Sequence, residues 1–440
     1  MAGLAFSGDT GFMSFGIATA IVVAVAMLGS LTVLPALLSK LGDKVNNGKV
    51  PFLFKYRARQ TEPRMWKAIL RPVLRHPVIA MTASAGVLVA LAIPALGMKT
   101  SLSGASALPQ NVKEVKVYNN LQQAFPGGPV PAVIAVEGPV DTPVFRTALE
   151  KLQKQVEASG QMHNAHIDRV SRDYTAATVT VDLAGDGNDA KSYAALATLR
   201  ETILPATLGQ VGDIDYAVTG NTANSKDYDN LLRTHAPYVF GFVLLFAFVL
   251  LMSAFRSIVI AIKAILMNLL SVGAAYGLLV LVFQKGYGEG ILNFESNGAI
   301  TSWLPIFLFV ILFGLSMDYH VFILSRIREA FDRGLKTSDA VEHGITTTAG
   351  VVTSAAAVMA GAFGVFMILP HLDFMELGLG LGAAVIIDAT IVRAVLLPAT
   401  MKLLGDWNWY LPRWLEWLPR IDQGTRKQRA EAKPALTPTA

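Results

Sequence analysis

The chain has 440 residues, of which 53% are hydrophobic and only 16% charged, with a net charge of +5 and no cysteine. Soluble domains carry about 25% charged residues, so this composition excludes an ordinary globular protein and describes one embedded in lipid. Disulfide and thiol chemistry are excluded as well.

In chain order, seven stretches are apolar enough to span a bilayer: 12–38, 77–98, 236–255, 257–283, 301–324, 345–369 and 374–404. They divide the chain into a membrane helix (1–42), a basic linker (43–74), a second membrane helix (75–98), a polar insert (99–235), a five-helix membrane bundle (236–404) and an aromatic, basic tail (405–440). From Lys40 to Arg75 there are ten Lys/Arg against the two acids Asp43 and Glu62, and the tail from Lys402 carries seven more. Basic loops stay in the cytoplasm, which puts the N-terminus outside, the C-terminus inside and the insert outside a cell membrane. The positive charge therefore faces membrane lipids, and nucleic acid is not an implied partner.

The insert holds twelve Lys/Arg and fifteen Asp/Glu. Val130–Glu137 is strand-like, Thr142–Ala158 helical, His163–Val170 a weak strand, Thr175–Leu183 a strong strand, Ala190–Leu204 helical and Ile214–Thr219 a strand. That β-α-β-β-α-β order predicts an α+β ferredoxin-like domain, bracketed by helices after Pro109 and after Asn221. Gly127–Gly128, between prolines, reads as a turn.

A repeat joins the two ends of the membrane part. Leu34–Gly42 reads LPALLSKLG and Leu397–Gly405 reads LPATMKLLG. Each closes a long apolar helix on the same side, as in transporters built from two parallel halves. The first copy then closes a half whose earlier helices are missing. Small residues at four-residue spacing (Gly273 and Gly277, Ala356 and Ala360, Gly378 and Gly382) suit close helix packing.

Asp318 is the most informative residue. In WLPIFLFVILFGLSMDYHVFIL it lies roughly 22 Å from Trp303, inside a hydrocarbon core of about 30 Å. An acid at that depth needs water, protons or a partner, so it reads as a proton carrier in ion-coupled transport. Tyr319 can donate to a facing carboxylate, and His320 titrates near neutrality if accessible. Asp388 needs a partner on another helix. Arg393 lies five residues on, about 140° round an α-helix, so the two are not a simple same-face pair. Arg393 and Lys263 read as snorkelling or bundle-organising cations, and Glu376 as a solvated interfacial acid. Trp407, Trp409, Tyr410, Trp414 and Trp417 among Arg413 and Arg420 read as an interfacial anchor. No metal cluster, phosphate-binding loop or nucleophile–base set is present in the sequence, which argues against an enzyme, a cofactor and an ATP-driven pump.

These residues resemble the MmpL branch of the RND superfamily. FGLSMDYHVFILSRIREAFDRG (313–334) is similar to its Asp-Tyr helix, GITTTAGVVTSAA (344–356) to the start of the next helix, and LGLGLGAAVIIDATIVRAVLLPATMKLLGDWNWYLPRWL (377–415) to its last helix and tail. VTGNTANSKDYD (218–229) is similar to the segment leading from the porter domain back to the membrane. The resemblance implies proton-driven export of lipids or other hydrophobic molecules, with a relay at Asp318, Tyr319, His320 and Asp388. It also implies twelve helices in two halves, each with an external porter domain, of which this chain matches the last helix of the first half and the whole second half. His320 stands where many relatives carry Glu. The relay counterpart in the first half is absent here, so a missing first half or a homo-oligomer is the implied partner. A second reading stays open, that of a truncated, non-transporting fragment or assembly partner.

Overall fold

In the computed structural model the described residues are 1–42, 64–104, 107–125, 130–292 and 294–417. The expectations for 43–63, for the Gly127–Gly128 turn and for the tail beyond 417, with Arg420, lie outside them. Among the described residues, seven helices are long and apolar enough to cross a membrane. They are α1 (Thr10–Leu41), α3 (Pro77–Gly97), α7 (Asn221–Phe255), α8 (Ile258–Gln284), α9 (Leu304–Asp332), α10 (Thr337–Ile368) and α11 (Leu372–Trp409), with α2 (Arg64–Arg75) lying between the first two.

Three helices are longer than their apolar windows. α7 starts at Asn221, α9 runs to Asp332 and α10 starts at Thr337, because polar residues continue the helical backbone outside the apolar stretch. α11 is the most enclosed helix, followed equally by α8 and α9, while the membrane-length part of α1 is uncovered. Gly277 is a required glycine in this packing. A Cβ there would lie 1.6 Å from the Leu91 carbonyl of α3, so only a missing side chain lets the two backbones approach.

The segment 64–75 departs from the expected linker. Trp66, Leu70, Val73 and Leu74 are buried, and their spacing makes α2 an amphipathic helix that packs on the bundle. Lys402 Nζ donates to the Leu74 carbonyl and ties its last turn to α11.

Between α3 and α7 lies an α+β unit. β1 (Thr100–Ser101) is followed by α4 (Lys113–Ala124), β2 (Ala132–Glu137), α5 (Pro143–Ala158), β3 (Met162–Val170), β4 (Ala176–Leu183), α6 (Ala190–Thr198) and β5 (Asp215–Thr219). The sheet order is β3-β4-β2-β5 with every pair antiparallel. Alternate residues of β2 and β4 (Ile134, Val136, Val179, Val181) meet Phe145, Leu152 and Val156 of α5 and Leu196 of α6 in one core. Thr142 and Asp189 cap the two helices through the Phe145 and Ser192 amides. Tyr193 of α6 is partly buried, and desolvation pushes its phenol up to about 12.

Several links fix this unit to the bundle, two of them extended. β1 pairs in parallel with β6 (Ile300–Thr301), the segment that leads into α9. Arg200 binds both carboxylate oxygens of Asp227 on α7, at 2.6 and 2.8 Å, and the Val218 carbonyl at 2.8 Å. The Arg200 hydrogen bonds hold the Asp227 carboxyl below its ordinary range.

Candidate functional site

The site begins with a proline. Pro398 has no amide hydrogen, and its ring would strike the carbonyl four residues back in an α-helix. The chain answers with a wider turn: Asp388–Leu396 is π-helical, and the Leu397 amide bonds the Val392 carbonyl five residues back. Five residues of π-helix make a little more than one full turn, which brings the two side chains within about 50° of each other. Asp388 and Arg393, which α-helical geometry would keep apart, therefore stack on one face. Arg393 Nη2 donates to Asp388 Oδ2 in a short ion pair. The sequence expectation that they are not a same-face pair fails for this reason.

The pair is enclosed. Asp388 and Arg393 are 6% and 1% exposed, so Arg393 organises the bundle and does not snorkel. Its Nη2 also donates to the Ser316 carbonyl at 3.0 Å, and its guanidinium lies 4.4 Å from the centre of the Tyr319 ring. Ser316 Oγ is 2.9 Å from Asp388 Oδ2 and 2.5 Å from Asn268 Oδ1. One hydroxyl proton serves only one of these acceptors. Exchanging the amide oxygen and nitrogen of Asn268 lets its Nδ2 donate to Ser316 and leaves the serine proton for Asp388. Asp388 Oδ1 and Arg393 Nε have no hydrogen-bond partner among the described residues. Beside them is a cavity of about 20 Å³ lined by Asn268, Ser316, Tyr319, Met359, Asp388 and Arg393, room for about one water molecule. Asn268 and Ser316 carry no signal in the sequence beyond being polar residues in apolar helices.

The other expected relay residues separate. Tyr319 reaches the site with its ring, but its hydroxyl donates to Met359 Sδ at 3.4 Å and not to a carboxylate. Asp318 points away from the pair, onto an exposed stripe of α9 with Gly314 and Phe322, and a Cβ at Gly314 would meet nothing within 4 Å. His320 is fully buried, its Nδ1 3.2 Å from the Ser316 carbonyl and its Nε2 without a partner among the described residues. His320 is thus enclosed rather than open to solvent protons.

Two more expectations are corrected. Glu376 is not solvated: it is 0% exposed, and its Oε2 accepts the Thr301 amide of β6 at 3.1 Å. One turn earlier on α11, Asp373 accepts the hydroxyls of Thr301 and Ser103. Both acids are turned inward because β6 crosses over the end of α11. Lys263 is buried and donates to Asn408 Oδ1 at 3.0 Å. Asn408 in turn donates to the Met401 and Gly405 carbonyls, satisfying the end of α11. Trp407, Trp414 and Trp417 are exposed, while Trp409 stacks on Phe331 and the Arg328 guanidinium packs against both rings.

The MMPL family pattern matches residues 1–80 and 106–427. The chain is 36% identical over 409 residues to the mycolic acid-containing lipids exporter MmpL11 of Mycolicibacterium smegmatis, covering 91% of this chain and 42% of that protein. It is 35% identical to the heme uptake protein MmpL11 of Mycobacterium tuberculosis, with 91% and 41% covered. It is 29% identical to the trehalose monomycolate exporter MmpL3 of M. smegmatis, with 90% and 42% covered. The chain spans less than half the length of these relatives. With the pattern matched over most of its residues, the chain belongs to the MMPL family.

Proposed function

We propose that the chain works in the export of lipids or other hydrophobic molecules across the cell membrane, driven by proton entry. Family membership and two relatives named as lipid exporters support the cargo class. The observation that carries proton coupling is the buried Asp388–Arg393 pair beside its cavity, with one carboxylate oxygen and one guanidinium N–H unpartnered. A proton arriving at Asp388 Oδ1 neutralises the carboxylate and ends the ion pair. Arg393, on α11 like Asp388, is then held by the Ser316 carbonyl and the Tyr319 ring of α9, so its charge shifts from a contact within α11 to the interface between α9 and α11. Release of the proton restores the ion pair.

Asp318 is the outward partner in this scheme. An acid on an exposed stripe of a membrane helix, one turn from a glycine with open space, calls for a facing surface. A first half-unit or a second copy would supply it, and the relay would pass between the two. The sheet unit within 99–235 has the strand order of a ferredoxin-like fold, and we assign it as the extracytoplasmic porter domain. The Lys/Arg distribution supports that side, with the N-terminus outside and the C-terminus in the cytoplasm.

Asp318→Asn keeps size and hydrogen bonding but cannot titrate. In the assembly that transports, reconstituted in vesicles with a pH gradient, it is expected to abolish proton-linked lipid movement at normal membrane levels and unchanged thermal unfolding. An undiminished rate overturns the proton-carrier role.

A further inference from the structure

Three acids among the described residues hold the β1–β6 strand pair to the bundle, and their surroundings differ. Asp229 of α7 is 3% exposed, accepts the hydroxyls of Thr100 and Ser302, and pairs with Arg233 at 2.8 Å. Asp373 of α11 accepts the hydroxyls of Thr301 and Ser103, with His371 Nδ1 4.0 Å away. Glu376, one turn along, is fully enclosed and takes the Thr301 amide on Oε2. Its Oε1 has no partner among the described residues, and no Lys, Arg or His there pairs with it.

The titratable groups round this acid are few. Its own helix brings Asp373 and His371, and across the ladder stand Asp229 and Arg233 of α7, with Lys99 before β1. α8 brings Tyr276, whose hydroxyl is engaged by the Pro305 carbonyl. β1, β6 and the turns of α9 and α10 at that end carry none. The charge that acts on Glu376 is that of Asp373, and it is of like sign. An enclosed carboxylate with a spare oxygen and a like charge beside it is costly, and a bound proton removes that cost.

We propose that Glu376 is a proton-binding site whose proton latches the β1–β6 ladder to α11. With the proton bound, the neutral acid accepts the Thr301 amide and keeps Thr301 in register with Ser101. Without it, a bare charge repelled by Asp373 must draw in water, and the ladder above it, two residues long on each side, is the part that can open. Glu376 is about 18 Å along α11 from Asp388, so it is separate from the ion pair there. The site stands whether or not the export reading holds.

The full-length chain in lipid nanodiscs, followed by infrared spectroscopy across pH, tests this. At neutral pH wild type is expected to show the stretching band of a protonated carboxyl that shifts on 13C-glutamate labelling, because Glu376 is the one fully buried glutamate among the described residues. The band should vanish in Glu376→Gln, remain in Asp318→Asn and His371→Asn, and disappear reversibly as the pH is raised. Hydrogen exchange at Ile300–Ser302, corrected for its intrinsic pH dependence, reads the latch. Wild type should lose roughly tenfold protection over the same pH interval, and Glu376→Gln, permanently neutral, should keep it. No glutamate band in wild type at neutral pH, or a band that survives Glu376→Gln, overturns the proton site. A band that persists at alkaline pH, or an equal loss of protection in Glu376→Gln, overturns the latch.

Discussion

The two copies of the LP…LG segment use one backbone device under different loads. In α1 the residues Gly29–Val33 are π-helical and the Leu34 amide bonds the Gly29 carbonyl. In α11 the Leu397 amide bonds the Val392 carbonyl in the same relation to its proline. Each copy ends on a glycine of nearly the same conformation, φ 46° and ψ −133° at Gly42 and φ 51° and ψ −130° at Gly405. Where α11 places Asp388 and Arg393, α1 places Val25 and Ser30. The α11 copy is mostly buried and follows an ion pair, whereas the α1 copy is exposed and follows uncharged residues at the two matching positions. The wide turn therefore comes from the proline and needs no ion pair. The ion pair, in contrast, needs the wide turn.

The largest effect should come from taking the load off the buried copy. Arg393→Gln leaves Asp388 enclosed without its cation, and breaking a buried pair by removing one partner costs about 3–5 kcal/mol. Thermal unfolding in detergent should fall accordingly, and a shift near zero would show that the pair is not coupled to the packing. Pro398→Ala makes a sharper cut. It restores an amide and permits α-helical winding, which swings Arg393 away from Asp388. The gain from removing proline, up to about 3 kcal/mol, offsets much of the lost pairing. Transport should therefore fall at least tenfold while unfolding changes little. Pro35→Ala, in the copy without an ion pair, should leave transport near wild type. Equal losses in the two variants would mean that the turn matters for itself.

Glycines give the smallest contrast. Gly277→Ala forces a Cβ against the Leu91 carbonyl and should cost about 1–3 kcal/mol. Gly29→Ala, with nothing within 4 Å, should be neutral or stabilise by up to about 1 kcal/mol. Thermal unfolding of the two variants side by side reads the difference.

Apolar runs and strand alternation made most of the architecture legible, because burial against lipid and burial against a sheet leave different periods in a sequence. α2 was legible too, in the spacing of Trp66, Leu70, Val73 and Leu74, but its many cations masked it. The site was half legible. Asp388 and Arg393 stood out as charges in an apolar helix, yet their pairing was hidden by the assumption of α-helical winding, although Pro398 announced the exception. Glu376 and Lys263 misled for another reason. Both lie near helix ends, where solvation is the ordinary outcome, and only distant chain segments, β6 and Asn408, enclose them.

The junction at Gly220 has a mechanical consequence. β5 ends at Thr219 and α7 starts at Asn221, so one residue separates the sheet from a helix of 35 residues, about 52 Å long. Gly220 sits at φ 104°, and a Cβ there would be 2.8 Å from the Pro131 carbonyl. Arg200 clamps Asp227 two turns into the same helix. A joint this short and this crowded stores no slack. Tilting α7 in the bundle has to turn the β5 edge of the sheet with it, as a crank turns its shaft. The compliance left to the rod is at Pro237, where one backbone hydrogen bond is missing.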